Sequence, residues 1–164
     1  MSQPRLVLLN GMPGAGKSTL ARRYRDDHPG VLCADADDLR TAIGGVPADH
    51  DEATQRLVLA LAAAHLASGY DVVVPQLVVS PEHLARFEEV ALDAGAELVE
   101  VVLHGGVVDS RVPDAAVEHL VEYAHGLADL LVHRPGTHRL ATRHGDVDAA
   151  YGALVDLLDP DLPA

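Results

Sequence analysis

Aromatic residues are scarce in this chain: one Phe, four Tyr and no Trp, 3% of 164 residues. Hydrophobic residues still make up 48%, so the core has to be built from Val, Leu and Ala. That composition suits an α/β protein whose parallel strands are buried on both faces. Cysteine is nearly absent as well. Cys33 alone cannot close an internal disulfide and is too little for a zinc site, which fits a reducing compartment. On its expected strand it reads as a small buried residue. Positive charge is the third shortage. Twelve Lys and Arg stand against 25 Asp and Glu, a formal net charge of −13. Such a surface repels a long polyanion and makes duplex DNA or bulk RNA a poor partner. Long apolar runs are missing too. None approaches the roughly 18 residues of a membrane span, and the first run stops at a glycine loop, so neither a span nor a signal peptide is expected. A cytoplasmic location follows as the default expectation, and the length suits a single domain over residues 1–164.

What is present alternates between strand and helix. Residues 5–10 (RLVLLN) form an apolar run that ends at a glycine, the first expected strand. Residues 18–27 are helical and are closed by Pro29 and Gly30, followed by a short strand over 31–34. Asp38 is placed to cap a short helix through Ile43. A long helix over 51–68 presents Leu57, Leu61, Ala64 and Leu66 and ends at Gly69. The third strand spans 71–75 and continues loosely over 76–79. Ser80, Pro81 and Glu82 then give a hydroxyl cap, a first-turn proline and a first-turn acid, a strong helix start. A fourth strand is expected over 97–103, a helix over 114–132, a fifth strand over 137–142 and a last helix over 146–158. With no repeat or linker, the pattern predicts one three-layer α/β/α domain with a mostly parallel five-stranded sheet.

Gly11, Gly16, Lys17 and Ser18 meet the pattern G-x-x-x-x-G-K-[ST], between an apolar run and a good helix. Glycines let the backbone curl until successive N–H groups point into one concavity, and Gly14 adds a further permissive position. The loop Gly11, Met12, Pro13, Gly14, Ala15 and Gly16, with the helix start behind it, is therefore expected to cradle the phosphates of a nucleoside triphosphate. Lys17 is expected to reach the β and γ oxygens, the Ser18 hydroxyl to bind Mg²⁺, and Thr19 to pack near the α-phosphate. ATP and Mg²⁺ are the expected cofactors.

The second strand is followed at once by Asp35-Ala36-Asp37-Asp38-Leu39-Arg40. In an open α/β sheet, ligands sit beyond the carboxyl ends of the strands, so this cluster falls beside the phosphates. Phosphoryl transfer to an alcohol needs a carboxylate that orients the hydroxyl and takes its proton. Asp37 is the first candidate, and Arg40, one turn on, would grip the acceptor or the γ-phosphate. Whether Asp35 or Asp37 is the base, and which partners Mg²⁺, stays open in the sequence; helix capping accounts for part of the cluster.

The segment GMPGAGKSTLARRYRDDHPGVLCADADDLR resembles the start of a group of small AAA-type P-loop kinases. That group includes polynucleotide 5′-kinases, zeta-type toxins, chloramphenicol phosphotransferase and gluconate kinase. The spacing from Lys17 to the DD-x-R segment is most similar to the polynucleotide-kinase and zeta-like branch. The resemblance implies a P-loop NTPase fold, Lys17 on phosphates, Ser18 on Mg²⁺, Asp37 as base and Arg40 on the acceptor side. It is specific over about the first 45 residues. Two departures follow. Where the group commonly ends its third strand in Asp, this chain has Val74-Pro75-Gln76, and Gln76 is either a neutral substrate contact or a polar strand end. Where relatives carry a lid with several arginines, this chain has a short segment in which Arg111 is the single cation, a lid arginine or a surface residue.

Arg134, Arg139 and Arg143 form a late basic cluster, and Arg139 or Arg143 is a candidate to flank the nucleotide base, with ion pairing to surface acids as the alternative. The ten histidines show no metal-ligand spacing; His50, His65 and His104 lie nearest the expected cleft. The leading expectation is transfer of the γ-phosphate of ATP to a hydroxyl of a small-molecule or nucleoside-type acceptor. A nucleoside monophosphate kinase, or a regulatory or toxin-like module with weak ATPase activity, is the alternative. If Arg111 serves the lid, Arg111→Ala lowers phosphate transfer on the order of 10³-fold. An unchanged transfer rate removes Arg111 from the mechanism.

Overall fold

The computed structural model describes residues 3–45, 51–105, 114–143 and 146–160 of the chain. Five strands and six helices alternate along them: β1 (Arg5–Gly11), α1 (Lys17–Asp27), β2 (Leu32–Cys33), α2 (Ala36–Ala42), α3 (Asp51–Ala67), β3 (Val72–Pro75), α4 (Pro81–Asp93), β4 (Glu97–His104), α5 (Asp114–Val132), β5 (His138–Ala141) and α6 (Val147–Leu158). The strands form one sheet in the order β2-β3-β1-β4-β5, and all four pairings are parallel.

β1 runs through the middle of the sheet because its side chains are apolar on both faces. Leu6 and Leu8 point to one side, where they pack with Val72 and Val74 of β3 and with Val58, Ala62, Leu84 and Phe87 from α3 and α4. Val7 and Leu9 point to the other and meet Leu20 and Tyr24 of α1 with Leu154 of α6. A fully buried strand of this kind needs helices on both faces, which gives the three layers. The expected α/β/α fold class with a parallel five-stranded sheet is present. β1 leads through α1 to β2 on one side, while β4 lies on the other, so the carboxyl end of β1 sits at the point where the strand order reverses.

Two local expectations change. Asp35, not Asp38, caps α2: its side chain accepts a hydrogen bond from Asp37 N–H at 3.0 Å, while Asp38 is exposed in the first turn. The buried stripe of α3 is Thr54, Val58, Ala62 and Leu66, whereas Leu57 and Leu61 are 41% and 39% exposed. α3 is apolar nearly all round, so periodicity alone did not fix its inward face. The smaller side chains of the true stripe sit in the same cluster as β3. Cys33 is half-buried, and burial pushes its thiol up to about 11, so it stays a protonated, unreactive group. Among the described residues no helix is long and apolar enough to cross a membrane.

The end of the sheet opposite the carboxyl ends of the strands is tied by Arg5. Its guanidinium pairs with Asp71 at 2.6 Å and Asp159 at 3.0 Å, and donates to Tyr24 Oη at 3.2 Å and to the Leu158 carbonyl. Tyr24 Oη in turn donates to Asp159 at 2.7 Å. One side chain thus joins the starts of β1 and β3 to α1 and the end of α6. Burial opposes its charge, yet the bonds to Asp71 and Asp159 raise its pKa above the usual arginine value. Arg5→Met would leave two carboxylates without their cation. Because these groups keep some contact with water, we expect a loss of about 2 kcal/mol rather than the full cost of breaking a buried pair. A melting point lowered by roughly 4–8 °C, with nucleotide affinity unchanged, is the expected result.

Candidate active site

The carboxyl end of β1 turns into the glycine loop because two positions admit no other residue cheaply. Gly11 has φ +145°, and a Cβ there would lie 2.7 Å from the Leu103 carbonyl oxygen. Gly16 has φ +90° and forms the N-cap of α1 without any side-chain hydrogen bond. This start differs from those of α2, α4 and α6, where Asp35, Ser80 and Asp146 supply side-chain caps. α1 also has no acid in its first turn. Its first intrahelical bond runs from Leu20 N–H to Gly16 O at 3.0 Å, so the N–H groups of Lys17, Ser18 and Thr19 precede the ladder. The positive end of the helix is left for an external anion, and the residues fit a phosphate chain.

Lys17 folds back over this loop. Its Nζ donates to Gly11 O at 2.8 Å and Met12 O at 3.0 Å. Burial lowers its pKa, and the charges of Asp37 and Asp35 oppose that shift. Both carbonyl bonds are ones that an ammonium gives up for phosphate oxygens, which offer a charged partner.

Before the loop lies a cavity of about 610 Å³, whose walls include Lys17, Ser18, Asp35, Asp37, Arg40 and Gln76. The expected donor-side and acceptor-side residues are therefore brought together. They are held differently. Asp35 is buried, with one oxygen capping α2 and the other 3.0 Å from Arg22. Both of its oxygens already accept bonds, which explains its place as the rigid base of the acidic cluster. Asp37 is 77% exposed and pairs with Arg40, which also reaches Asp51 at 3.0 Å. Ser18 presents a hydroxyl in the same cavity, and a divalent cation would find it there with the Asp35 side chain in the wall. Among the described residues, no cluster of three or more His, Cys, Asp or Glu could hold a metal by itself. A cation seated here would need the phosphates as ligands, as Mg²⁺ usually does.

Three residues that sequence reasoning missed shape the cavity. Asn10, 4% exposed, donates from Nδ2 to Val78 O at 2.7 Å and accepts from Gly11 N–H at 2.8 Å and Val78 N–H at 2.9 Å. It clamps the start of the glycine loop to the segment after β3, helped by Gln76 N–H bonding to Leu9 O at 3.1 Å. The signal was a polar side chain at the end of an apolar central strand. Gln55 and His83 line the cavity beside Gln76. His83 stands in the first turn of α4, just past the carboxyl end of β3, where an open sheet places its ligands. His65 instead meets the Gly30 carbonyl at 2.7 Å, and His104 is exposed at the end of β4.

A second cavity, of about 190 Å³, opens behind the loop between Gly16, Thr19, Thr142, Arg143, Val147 and Ala150. Arg143 thus stands next to the glycine loop. Arg139 does not: it is exposed on β5, opposite Val102, outside that lining. Arg134 is spent on Glu88 at 2.6 Å and on Glu100. Arg111 and His50 lie outside the described residues.

The fold and loop together define a P-loop nucleotide-binding domain of the kinase type. An AAA-domain family model matches residues 6–119, and the chain belongs to this family of P-loop domains. No curated protein matches the sequence. Among solved structures, the chain is similar to the Mycobacterium tuberculosis APS kinase CysC in complex with AMPPNP and APS, at 25% identity and TM-score 0.59, covering 97% of this chain and 99% of that one. It also resembles a chain of the Pnkp1/Rnl/Hen1 RNA repair complex, at 21% identity and TM-score 0.63, covering 79% of this chain and 47% of that one. The tunicamycin resistance protein of Deinococcus radiodurans is similar over 96% of both chains, at 17% identity and TM-score 0.58.

Asn10→Ala would strip the partner from Gly11 N–H and from both backbone groups of Val78. We expect a loss of about 2–3 kcal/mol in urea unfolding, the cost of leaving buried polar groups unpaired. A weaker affinity for the nucleotide should accompany it, because the loop loses its anchor.

Proposed function

We propose that this protein is a Mg²⁺- and ATP-dependent phosphotransferase that moves the γ-phosphate to a hydroxyl of a small acceptor. One observation carries the reading: a glycine-capped helix start with Lys17 faces the exposed Asp37–Arg40 pair across a single cavity. Bound Mg-ATP would supply the phosphoryl group and the cation that offsets its charge. Gly14, Gly16 and the first turn of α1 would hold the phosphates through backbone N–H groups, with Met12, Pro13 and Ala15 shaping the loop. Lys17 would leave its two carbonyl partners for the β and γ oxygens, and Ser18, with Asp35 behind it, would hold Mg²⁺.

Asp37 is the proposed base. Its exposure leaves one face free to accept a hydroxyl proton, while Asp35 is already occupied by Arg22 and the start of α2. Arg40 fixes the orientation of Asp37 and balances its charge beside the phosphates. Thr19 and Arg143 would flank the rest of the nucleotide in the smaller cavity. The similarity to an APS kinase bound to AMPPNP supports nucleotide use. The excess of 25 acids over twelve bases argues for a compact acceptor rather than long nucleic acid, despite the likeness to a component of an RNA repair complex.

Acceptor-dependent ADP release tests this reading, with Asp37→Asn as the decisive variant. Transfer should fall by roughly 10²–10⁴-fold while Mg-ATP still binds, since a general base contributes about that much and makes no contact with the donor. Full transfer by Asp37→Asn contradicts the assignment. Mg-ATP binding with no acceptor-dependent release favours a regulatory nucleotide module instead.

A further inference from the structure

One wall of the main cavity holds three side chains whose polar atoms cannot all bond one another. Gln76 Nε2 lies 2.6 Å from Gln55 Oε1 and 3.1 Å from His83 Nε2, and His83 Nε2 lies 3.0 Å from Gln55 Oε1. Each atom is within hydrogen-bond distance of the other two. An amide oxygen only accepts, an amide nitrogen only donates, and an imidazole nitrogen does one or the other. Three such atoms in a triangle must include two of the same kind. At most two of the three contacts can therefore be hydrogen bonds, whichever way the amides are turned and whichever nitrogen of His83 carries the proton.

The remaining atom of the Gln76 amide makes matters worse. Gln76 is 7% exposed, and its Oε1 is buried with no hydrogen-bond partner among the described residues. Buried polar groups are nearly always paired, so an orphan in the wall of a cavity, beside a triangle with one unbonded polar contact, marks a place kept for a ligand group. A hydroxyl both donates and accepts. Placed among the three, it turns the odd ring into an even one and satisfies either atom of the Gln76 amide. The terminal torsion of glutamine is soft, so Gln76 can present its amide to the cavity without moving β3.

The charge of the wall narrows the choice further. Gln55 and Gln76 are neutral, and burial with the nearby Arg86 lowers the pKa of His83, keeping it neutral near pH 7. Arg40, the acceptor-side cation in this cavity, is engaged by Asp37 and Asp51. Nothing among the described residues of this wall offers a phosphate or carboxylate a free cation.

We propose that Gln55, Gln76 and His83 form the acceptor-recognition subsite, and that it selects a neutral polyhydroxylated molecule, of nucleoside or sugar type, over its phosphorylated form. This rests on the phosphotransferase reading above and specifies its substrate class. One hydroxyl of the acceptor sits among Gln55, Gln76 and His83, and a neighbouring one faces Asp37.

The experiment has two arms. In the first, ADP release from Mg-ATP is measured with a panel of ribonucleosides and hexoses, their monophosphates and their single-deoxy analogues. A neutral compound should turn over with kcat/KM roughly 10²-fold or more above its monophosphate, and one deoxy analogue should lose a similar factor. Gln76→Leu should erase the preference for the full hydroxyl set by raising the acceptor KM, with AMPPNP affinity unchanged. A monophosphate that works as well as the neutral compound overturns the proposal. So does an unchanged acceptor KM in Gln76→Leu, which would mean that ordered water alone satisfies the triangle.

The second arm needs no acceptor. Gln76→Leu and Gln55→Leu each remove the unbonded polar contact of the triangle, and Gln76→Leu removes the orphan oxygen too, so both should melt at or above the wild-type temperature, the usual signature of a binding residue. A fall of more than about 4 °C in both, equivalent to ~1 kcal/mol or more, makes the cluster a structural brace and overturns the proposal. If no compound in the panel stimulates ADP release while AMPPNP binds, the phosphotransferase reading fails, and the melting data still decide whether these residues are a brace.

Discussion

The structure turns on the left-handed glycine that opens α1. Because Gly16 caps the helix with no side chain of its own, the first-turn N–H groups remain for something outside the protein. The rest of the site is arranged around that opening. β1 must be central to deliver the loop to the switch point of the sheet, and it can be central because Leu6, Val7, Leu8 and Leu9 are all fully buried. Gly11 must pass close to β4, where a Cβ would meet the Leu103 carbonyl. Asn10 then bonds the loop's first peptide to Val78, so that donor and acceptor walls share one rigid frame. A site that catalyses by positioning and charge needs such a frame more than it needs reactive groups.

The electrostatics follow the same division. A chain with a net charge of −13 repels a triphosphate at long range. Its acids near the cavity are nevertheless matched locally: Asp35 and Asp38 to Arg22, and Asp37 and Asp51 to Arg40. Lys17 carries the free positive charge of the loop, parked on two carbonyls. The donor side thus presents backbone dipoles and one ammonium, while the acceptor wall presents neutral amides and an imidazole. Under the proposed function, that contrast would separate the two substrates by chemistry: an anion on one side, an uncharged partner on the other.

Much of this was legible in the chain itself. The spacing of Gly11, Gly16, Lys17 and Ser18 fixes a loop only when an apolar strand precedes it and a helix follows, and both were visible. Ser80 and Pro81 announced α4 because capping is local chemistry. The misses share a different cause. α3 is apolar nearly all round, so the inward position of Val58 rather than Leu57 depended on tertiary packing. Asp35 took the cap expected of Asp38 because the chain enters α2 straight from β2. Asn10, Gln55 and His83 come from three separate elements, and their meeting with residues 76–79 is a product of topology that no local pattern encodes. Arg139 was close to Arg143 in sequence, yet strand direction sends it elsewhere.

The opening of α1 is proposed as a phosphate seat facing Asp37. A crystal structure with AMPPNP and Mg²⁺ tests it most directly. The β and γ phosphates should lie against the N–H groups of the first turn of α1, with Lys17 Nζ moved from Gly11 O and Met12 O onto phosphate oxygens, and the γ end turned toward Asp37. A nucleotide bound elsewhere, or Lys17 still resting on both carbonyls with the phosphates in place, would contradict it.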